Sequence, residues 1–338
     1  MPSGRGRILS VAPYDRILLT DSDLKPFMSS GGGSLRINQV LALLAEQRGS
    51  WPQLSEGYAE FSSLETKEIR LGRSRLVVQF NPKRIRNTAK FDRKTAERRP
   101  CFLDAENLPP EERGLAYSDN FVITGNPFPV LADHITILHR RHISQALDNV
   151  LPEALKIAQD LQEHFFILYN GPEAGASAPD HAHLQGGSRS LLPIESEVAD
   201  LESLRVAGGA EIILPEDLGR GFIVLRGSPE SVGKLLPELV AKLPRTGEGR
   251  EPLINVIFTS QGEISTVYLF PRTRFRPQAF FAEGNQQLLI SPAALELAGI
   301  VVVPREEDFR KLTSEDILTI FAEVTLTPAQ LRGILETL

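Results

Sequence analysis

The chain reads as an α+β protein in which antiparallel sheets are flanked by helices and one structural unit occurs twice. Three observations carry this. In the first unit, strand-like His134-Ile135-Thr136-Ile137-Leu138 is followed by a helix over roughly residues 150 to 164, then by the strand Phe165-Phe166-Ile167-Leu168-Tyr169-Asn170. In the second, Phe222-Ile223-Val224-Leu225 is followed by a helix near Ser231 to Leu243, then by Ile254-Asn255-Val256-Ile257-Phe258. Both place their second strand roughly thirty residues after the first, which points to a duplicated module, with chance likeness of two strand-helix-strand stretches as the competing explanation. Only the first copy carries histidines, so one half would keep the chemistry and the other would serve as scaffold.

The elements before these units are punctuated by their caps. Ser34 is a helix N-cap ahead of apolar positions at helical spacing through Arg48, and Gly49 closes that run. The preceding Gly31-Gly32-Gly33 lacks the Gly-Lys-Ser/Thr ending of a phosphate-binding loop and reads as a turn. Leu76-Val77-Val78-Gln79-Phe80, left through Asn81-Pro82, is a strand. The stretch from Asn81 to Pro100 is basic and turn-rich, a solvated loop in which Lys83, Arg84 and Arg86 are candidate phosphate or base-edge contacts.

Composition excludes several classes of function. With 338 residues, 41% of them hydrophobic, the chain can build a sizeable core. Its net charge of −6, with Lys and Arg scattered among Asp and Glu, argues against general nucleic-acid binding. No signal-peptide core follows the basic start Met1-Pro2-Ser3-Gly4-Arg5-Gly6-Arg7, and no apolar run is long enough for a bilayer, so no membrane role and a cytoplasmic location are expected. Cys101 stands alone, which rules out an intrachain disulfide.

The chemistry concentrates in Asn170 to Gly187. A loop of small residues, Gly175-Ala176-Ser177-Ala178, offers backbone N–H groups that can approach a phosphate closely. Next comes His181-Ala182-His183-Leu184-Gln185, whose alternate residues share one face of an extended strand. Two imidazoles and an amide make a poor core face, so a bound ligand or metal is the simpler explanation of the row.

Asn126-Pro127-Phe128-Pro129-Val130, His134-Ile135-Thr136-Ile137, Arg141-His142-Ile143, Asn170-Gly171 and this His-x-His-x-Gln together resemble the histidine triad superfamily. Gln185 in place of a third histidine is similar to the branch of galactose-1-phosphate uridylyltransferases, dinucleoside tetraphosphate phosphorylases and GDP-L-galactose phosphorylases. Ile254 to Phe258, Val267-Tyr268-Leu269-Phe270-Pro271-Arg272, Ile290-Ser291-Pro292-Ala293 and Ile300 to Pro304 resemble the ending of the plant GDP-L-galactose phosphorylases. With Val78 to Pro82 and Arg99 to Leu103, the resemblance spans roughly residues 75 to 325 and is strongest to bacterial relatives of those phosphorylases.

The resemblance implies two histidine-triad-like halves forming a pseudo-dimer: an N-terminal segment 1–74 packed on the core, a catalytic half 75–205 and a second half 206–338 without catalytic histidines. It implies His183 as the nucleophile toward the α-phosphorus of a nucleotide, flanked by His181, with Gln185 holding the transferred phosphate. Asn126 would grip ribose or phosphate, and Asn170, Ser177, the amide of Gly175 and Arg84 the remaining oxygens. Ser177 lies six residues before His183, where better-known members place their serine about five before, which departs from the pattern. The donor would be a nucleotide sugar or dinucleoside polyphosphate and the acceptor phosphate or a sugar phosphate, with a nucleotide hydrolase or a non-catalytic nucleotide binder as alternatives. Cys101, Asp104, His142 and His181 match the zinc ligands of the uridylyltransferases, with Asp104 replacing a thiolate; loss of that thiolate leaves a metal-free branch as the alternative. His164 and His139 read as surface or interface residues, and oligomeric state is left open.

Overall fold

Thirteen strands are seen in the computed structural model, which describes residues 12–29, 33–85, 99–245 and 251–338. They are β1 (Thr66–Leu71), β2 (Ser74–Phe80), β3 (Gly114–Ala116), β4 (Phe121–Gly125), β5 (Ile135–His139), β6 (Phe165–Asn170), β7 (His183–Ser188), β8 (Arg205–Ala207), β9 (Ala210–Ile213), β10 (Ile223–Gly227), β11 (Ile254–Gln261), β12 (Ile264–Pro271) and β13 (Ile300–Val303). Ten of them form one antiparallel sheet in the order β3-β4-β5-β7-β6-β11-β12-β10-β9-β8.

From either edge toward the middle, the strands of the two halves follow the same order. The first three arrive in sequence, the fifth comes next, and the fourth lies at the centre. β6 and β11 meet there, pairing Asn170 with Asn255 and Ile167 with Phe258. Each half bridges its third and fourth strands with a helix, Leu151–Asp160 in the first and Pro229–Lys242 in the second. The two halves join into one continuous ten-stranded sheet, because each uses its fourth strand to cover the other's edge.

The central strands β6 and β11 are predominantly apolar and buried on both faces because the sheet is covered on both sides. Phe165, Ile167 and Tyr169 enter a core with the helices Leu35–Ser50, Leu151–Asp160 and Pro229–Lys242. Phe166 and Leu168 enter a second core with Leu76, Val78, Ile300 to Val303 and the helix Ser314–Val324. That second layer contains a three-stranded mixed sheet in which β13 runs parallel to β2, pairing Val303 with Phe80. Since Leu184 belongs to the first core, His183 and Gln185 on either side of it face the second layer.

Local boundaries follow capping chemistry. The Ser34 hydroxyl accepts from the Ile37 N–H, as expected, but the helix runs through Gly49 to Ser50 and stops only where Trp51-Pro52 opens the next helix, Pro52–Phe61. Gly49 therefore does not terminate it; the proline ahead does. The helix expected to reach residue 164 ends at Asp160, so His164 lies in the turn beyond it. Of the basic stretch, Pro82–Arg84 is a short turn of helix, and residues 86–98, Arg86 included, lie outside the described residues. So do residues 1–11 and Gly31-Gly32. No helix among the described residues is long and apolar enough to cross a membrane.

Candidate active site

β6 and β7 do not stay zipped to their ends. Their register runs from Phe165–Ser188 to Leu168–Gln185 and then opens. Gln145 fills the gap: its Nε2 donates to the carbonyls of Asn170 (2.9 Å) and His183 (3.0 Å), and its Oε1 accepts from the His183 N–H at 2.8 Å. One side-chain amide thus replaces a missing ladder rung and holds Asn170 and His183 on either side of itself. A glutamine in a loop leaves no sequence pattern, and Gln145 was not anticipated.

His183 opens β7 and is buried. Its Nδ1 lies 2.8 Å from the His181 carbonyl, an acceptor only, so Nδ1 carries the proton and Nε2 the lone pair. Burial pushes its pKa down to about 4, so the ring is neutral at pH 7. Gln185 is fixed in the same way. The Val130 N–H donates to Nδ1 of the buried His134 at 3.2 Å, which leaves His134 Nε2–H to donate to Gln185 Oε1 at 3.0 Å. The Gln185 amide NH₂ is thereby left for another partner. Burial lowers His134 to about 3 and keeps it a neutral donor. His134 was read only as a strand residue; its position two residues before Thr136, which pairs with Gln185, is the signal that could have found it.

Asn126 Oδ1 accepts from the Phe128 N–H at 2.9 Å, and its Nδ2 lies 3.4 Å from Thr136 Oγ1, beside the His134–Gln185 pair. Arg84 sits in a crevice, partly open to solvent, where its charge acts on His134 and Glu296. Lys83 instead pairs with Glu60 at 2.5 Å. Asn170 Oδ1 accepts from Asn255 Nδ2 at 2.8 Å and from the Ala294 N–H at 3.0 Å. Gly175 has φ +106, and a Cβ there would lie 2.9 Å from Ala293 Cβ, so the loop presses against the second half where only glycine fits. Ser177 is exposed, and its carbonyl accepts from Arg99 at 2.8 Å.

The expected single row of His181, His183 and Gln185 divides in two. β7 begins at His183, and His181, in the turn before it, aims its ring elsewhere. Its Nε2 lies 2.7 Å from the His139 carbonyl and so bears the proton; its Nδ1 faces Cys101 Sγ at 3.4 Å and Asp104 Oδ1 at 3.2 Å. His142 Nδ1 is 2.8 Å from the same carboxylate oxygen, with Nε2 3.7 Å from Asp180. The candidate ligand atoms of Cys101, Asp104, His142 and His181 all lie within 4.8 Å of one another. A neutral imidazole lone pair facing a carboxylate is repulsive unless a cation lies between, and a ligand histidine held through its other nitrogen is the usual second-shell arrangement of a metal site. Burial pushes the Cys101 thiol up to about 11, so a thiolate there calls for a positive charge in the cluster. His139, expected at the surface, is buried, and its carbonyl orients His181. His164 pairs with Asp133 at 2.8 Å, away from both clusters.

The same arrangement of strands is found in the yeast Ap4A phosphorylase. The complex of that enzyme with AMP superposes with a TM-score of 0.57 at 15% identity, covering 81% of this chain and 95% of that chain. The chain has the histidine-triad-like fold of that phosphorylase. The complex with Ap4A gives a TM-score of 0.51 at 16% identity over 80% and 96% of the two chains. An ADP-glucose phosphorylase from Arabidopsis thaliana with bound ADP-glucose is a more distant match, with a TM-score of 0.38 at 12% identity over 78% and 99%. By sequence, residues 249–336 of this histidine-triad-like chain match the family model described as GDPGP1-like, C-terminal domain, and residues 43–188 match a domain of unknown function, DUF4922. No curated protein matches it by sequence.

Proposed function

We propose that the chain is a nucleotidyl-transferring phosphorylase acting on a dinucleoside polyphosphate or nucleotide sugar through a nucleotidyl-histidine at His183. One observation carries this reading: the His183 ring is buried, neutral and pinned at Nδ1 by the His181 carbonyl, which leaves the lone pair on Nε2, and Gln185 two residues on shares its face of β7. In the first step Nε2 attacks the α-phosphorus, the P–N bond forms, and the P–O bond to the leaving phosphate breaks. The positive charge that develops on the ring is spread toward the His181 carbonyl through Nδ1–H. In the second step an oxygen of inorganic phosphate attacks the same phosphorus, the P–N bond breaks, and His183 is returned neutral. Gln185 hydrogen-bonds the phosphoryl oxygens but donates no acidic proton, which suits leaving groups that are already anions. Asn126 would hold the ribose, and Arg84 the phosphate charge. The nucleotides in complex with the yeast enzyme, AMP and Ap4A, support the nucleotide side of this reading.

The cluster of Cys101, Asp104, His142 and His181 would hold a zinc ion, which supplies cross-linking charge beneath the catalytic turn and no chemistry on the substrate. A panel of dinucleoside polyphosphates and nucleotide sugars, assayed with and without inorganic phosphate, tests the proposal. A brief incubation with the right donor should add one nucleoside monophosphate to the intact mass, and phosphate should discharge it as a nucleoside diphosphate. Release of nucleoside monophosphate at the same rate without phosphate would make the chain a hydrolase, and no turnover of any donor would make it a binder.

A further inference from the structure

The second half carries no histidine, yet it holds a buried chain of polar groups whose orientations are fixed by their partners. Arg272, at the end of β12, is fully buried, and its Nη1 donates to Asn255 Oδ1 at 2.6 Å. Nη1 also donates to the Pro292 carbonyl, Nε to that of Val324 and Nη2 to those of Arg274 and Phe275, so the guanidinium cannot turn. A guanidinium only donates, so Asn255 must present its oxygen to it and its Nδ2 to the other side. There, Asn255 Nδ2 donates to Asn170 Oδ1 at 2.8 Å and to the Ala174 carbonyl at 2.7 Å. The Ala294 N–H, a second obligate donor, fills the remaining lone pair of Asn170 Oδ1 at 3.0 Å. Asn170 therefore has one orientation: oxygen toward the second half, NH₂ away from it. The β6–β7 register, Leu168 opposite Gln185, continued by two residues sets Asn170 opposite His183, so the two side chains share one face of the sheet, while Gln145 bridges their backbone carbonyls.

We propose that Arg272 and Asn255 are positioning residues that set the polarity of Asn170, so that an amide NH₂ rather than an amide oxygen faces the phosphoryl group at His183. The inference rests on the nucleotidyl-transfer reading for its catalytic consequence, but not for the polarity itself. An asparagine left free would turn its oxygen to that face part of the time and meet phosphate with repulsion. The relay removes that state before substrate arrives, which is preorganisation of a donor. The signal was present in the sequence: Asn255 is a lone amide inside the apolar run Ile254 to Phe258, and it is fully buried.

Asn255→Asp is the informative variant, because it matches the asparagine in size and accepts from Arg272 but cannot donate to Asn170. Formation of the nucleotidyl adduct should slow by roughly 100-fold, with the loss in the rate of the step rather than in donor KM. In an Asn170→Ala background the same change should cost less than about twofold. Because Asn255 also holds Ala174, a purely structural role would persist in that background, and multiplicative losses would overturn the proposal. The polarity is read without any substrate from side-chain amide exchange in the ¹⁵N-labelled full chain. The Asn255 NH₂, identified by its disappearance in Asn255→Asp, should exchange slowly and that of Asn170 fast. The reverse order would overturn the relay. If the order holds and no donor is turned over, the relay stands and the nucleotidyl-transfer reading falls.

Discussion

The two halves of the large sheet share their strand order but differ in the connection between the fourth and fifth strands. In the first half, Gly171 to Ala182 intervene between β6 and β7; in the second, β11 and β12 are joined by Gly262-Glu263 alone. The short hairpin lets β11 and β12 pair along their whole length, from Ile254–Pro271 to Gln261–Ile264. The pairing there runs without a gap. The long connection opens the ladder early, and the freed groups of Asn170 and His183 are taken by Gln145. On the proposed reading, chemistry belongs to the place where the sheet is kept open, and the closed copy would contribute rigidity and, through Asn255, orientation.

The sharpest way to break this comparison is to exchange the burdens of the two connections. His183→Ala should cut nucleotidyl transfer by roughly 10³-fold or more and abolish the mass adduct, because it removes the attacking lone pair. Ile264→Ala, at the start of the fifth strand in the closed half and 44% exposed, should leave the rate within about twofold. Equal losses in the two variants would refute the assignment of chemistry to one half.

The metal cluster tests whether the open connection needs its own support. Protein purified without an affinity tag should contain about one zinc per chain. Cys101→Ser should lose that zinc and lower Tm by roughly 5 °C or more, since metal binding is folding energy. Metal-free protein of normal stability would show that Asp104 and His142 hold the turn unaided.

A smaller effect is expected at the partner of His134. Gln185→His places a group that can be protonated against the leaving oxygen, and the ratio of hydrolysis to phosphorolysis should rise roughly tenfold. An unchanged product ratio would deny Gln185 its part in choosing the acceptor.

The smallest concerns an edge of the first half. Glu112 is buried beside Thr124 and the guanidinium of Arg16, and burial raises its pKa to about 7. The folded state therefore binds the proton more tightly than the unfolded chain. Stability tied to this carboxyl is fully present below the ordinary carboxylate pKa and is lost as pH rises toward about 7. Glu112→Gln should raise Tm by a few degrees at pH 8 and leave it unchanged near pH 4. A constant difference across that range would mean that the change acts through packing.

Much of this was legible in the chain. β6 and β11 are legible because both of their faces are buried and the runs are predominantly apolar. His183 and Gln185 stood out because two imidazoles and an amide make no sense as a core face. What escaped notice depends on partners far away in sequence. Gln145 acts on Asn170 and His183, β13 pairs with β2, and Arg272 acts on Asn255 through single contacts that no periodicity records. The division of the His-x-His pair between two clusters escaped too, since a strand beginning at His183 and one beginning at His181 have the same composition.

The meeting of β6 with β11 also bears on how this chain stays clear of its own copies. These strands are apolar and, in a separated half, each would be an open edge with unpaired N–H and C=O groups, a template for any strand of matching pattern. Fusing the halves through those two strands spends both templates on each other. What is left at the borders is β3 and β8, of three residues each, with β3 further blocked by a bridge from Leu18 to Gly114 and β8 opened by Arg205. Joining the halves within one chain thereby leaves neither β6 nor β11 as an open edge, a protection against edge-to-edge pairing that owes nothing to surface charge.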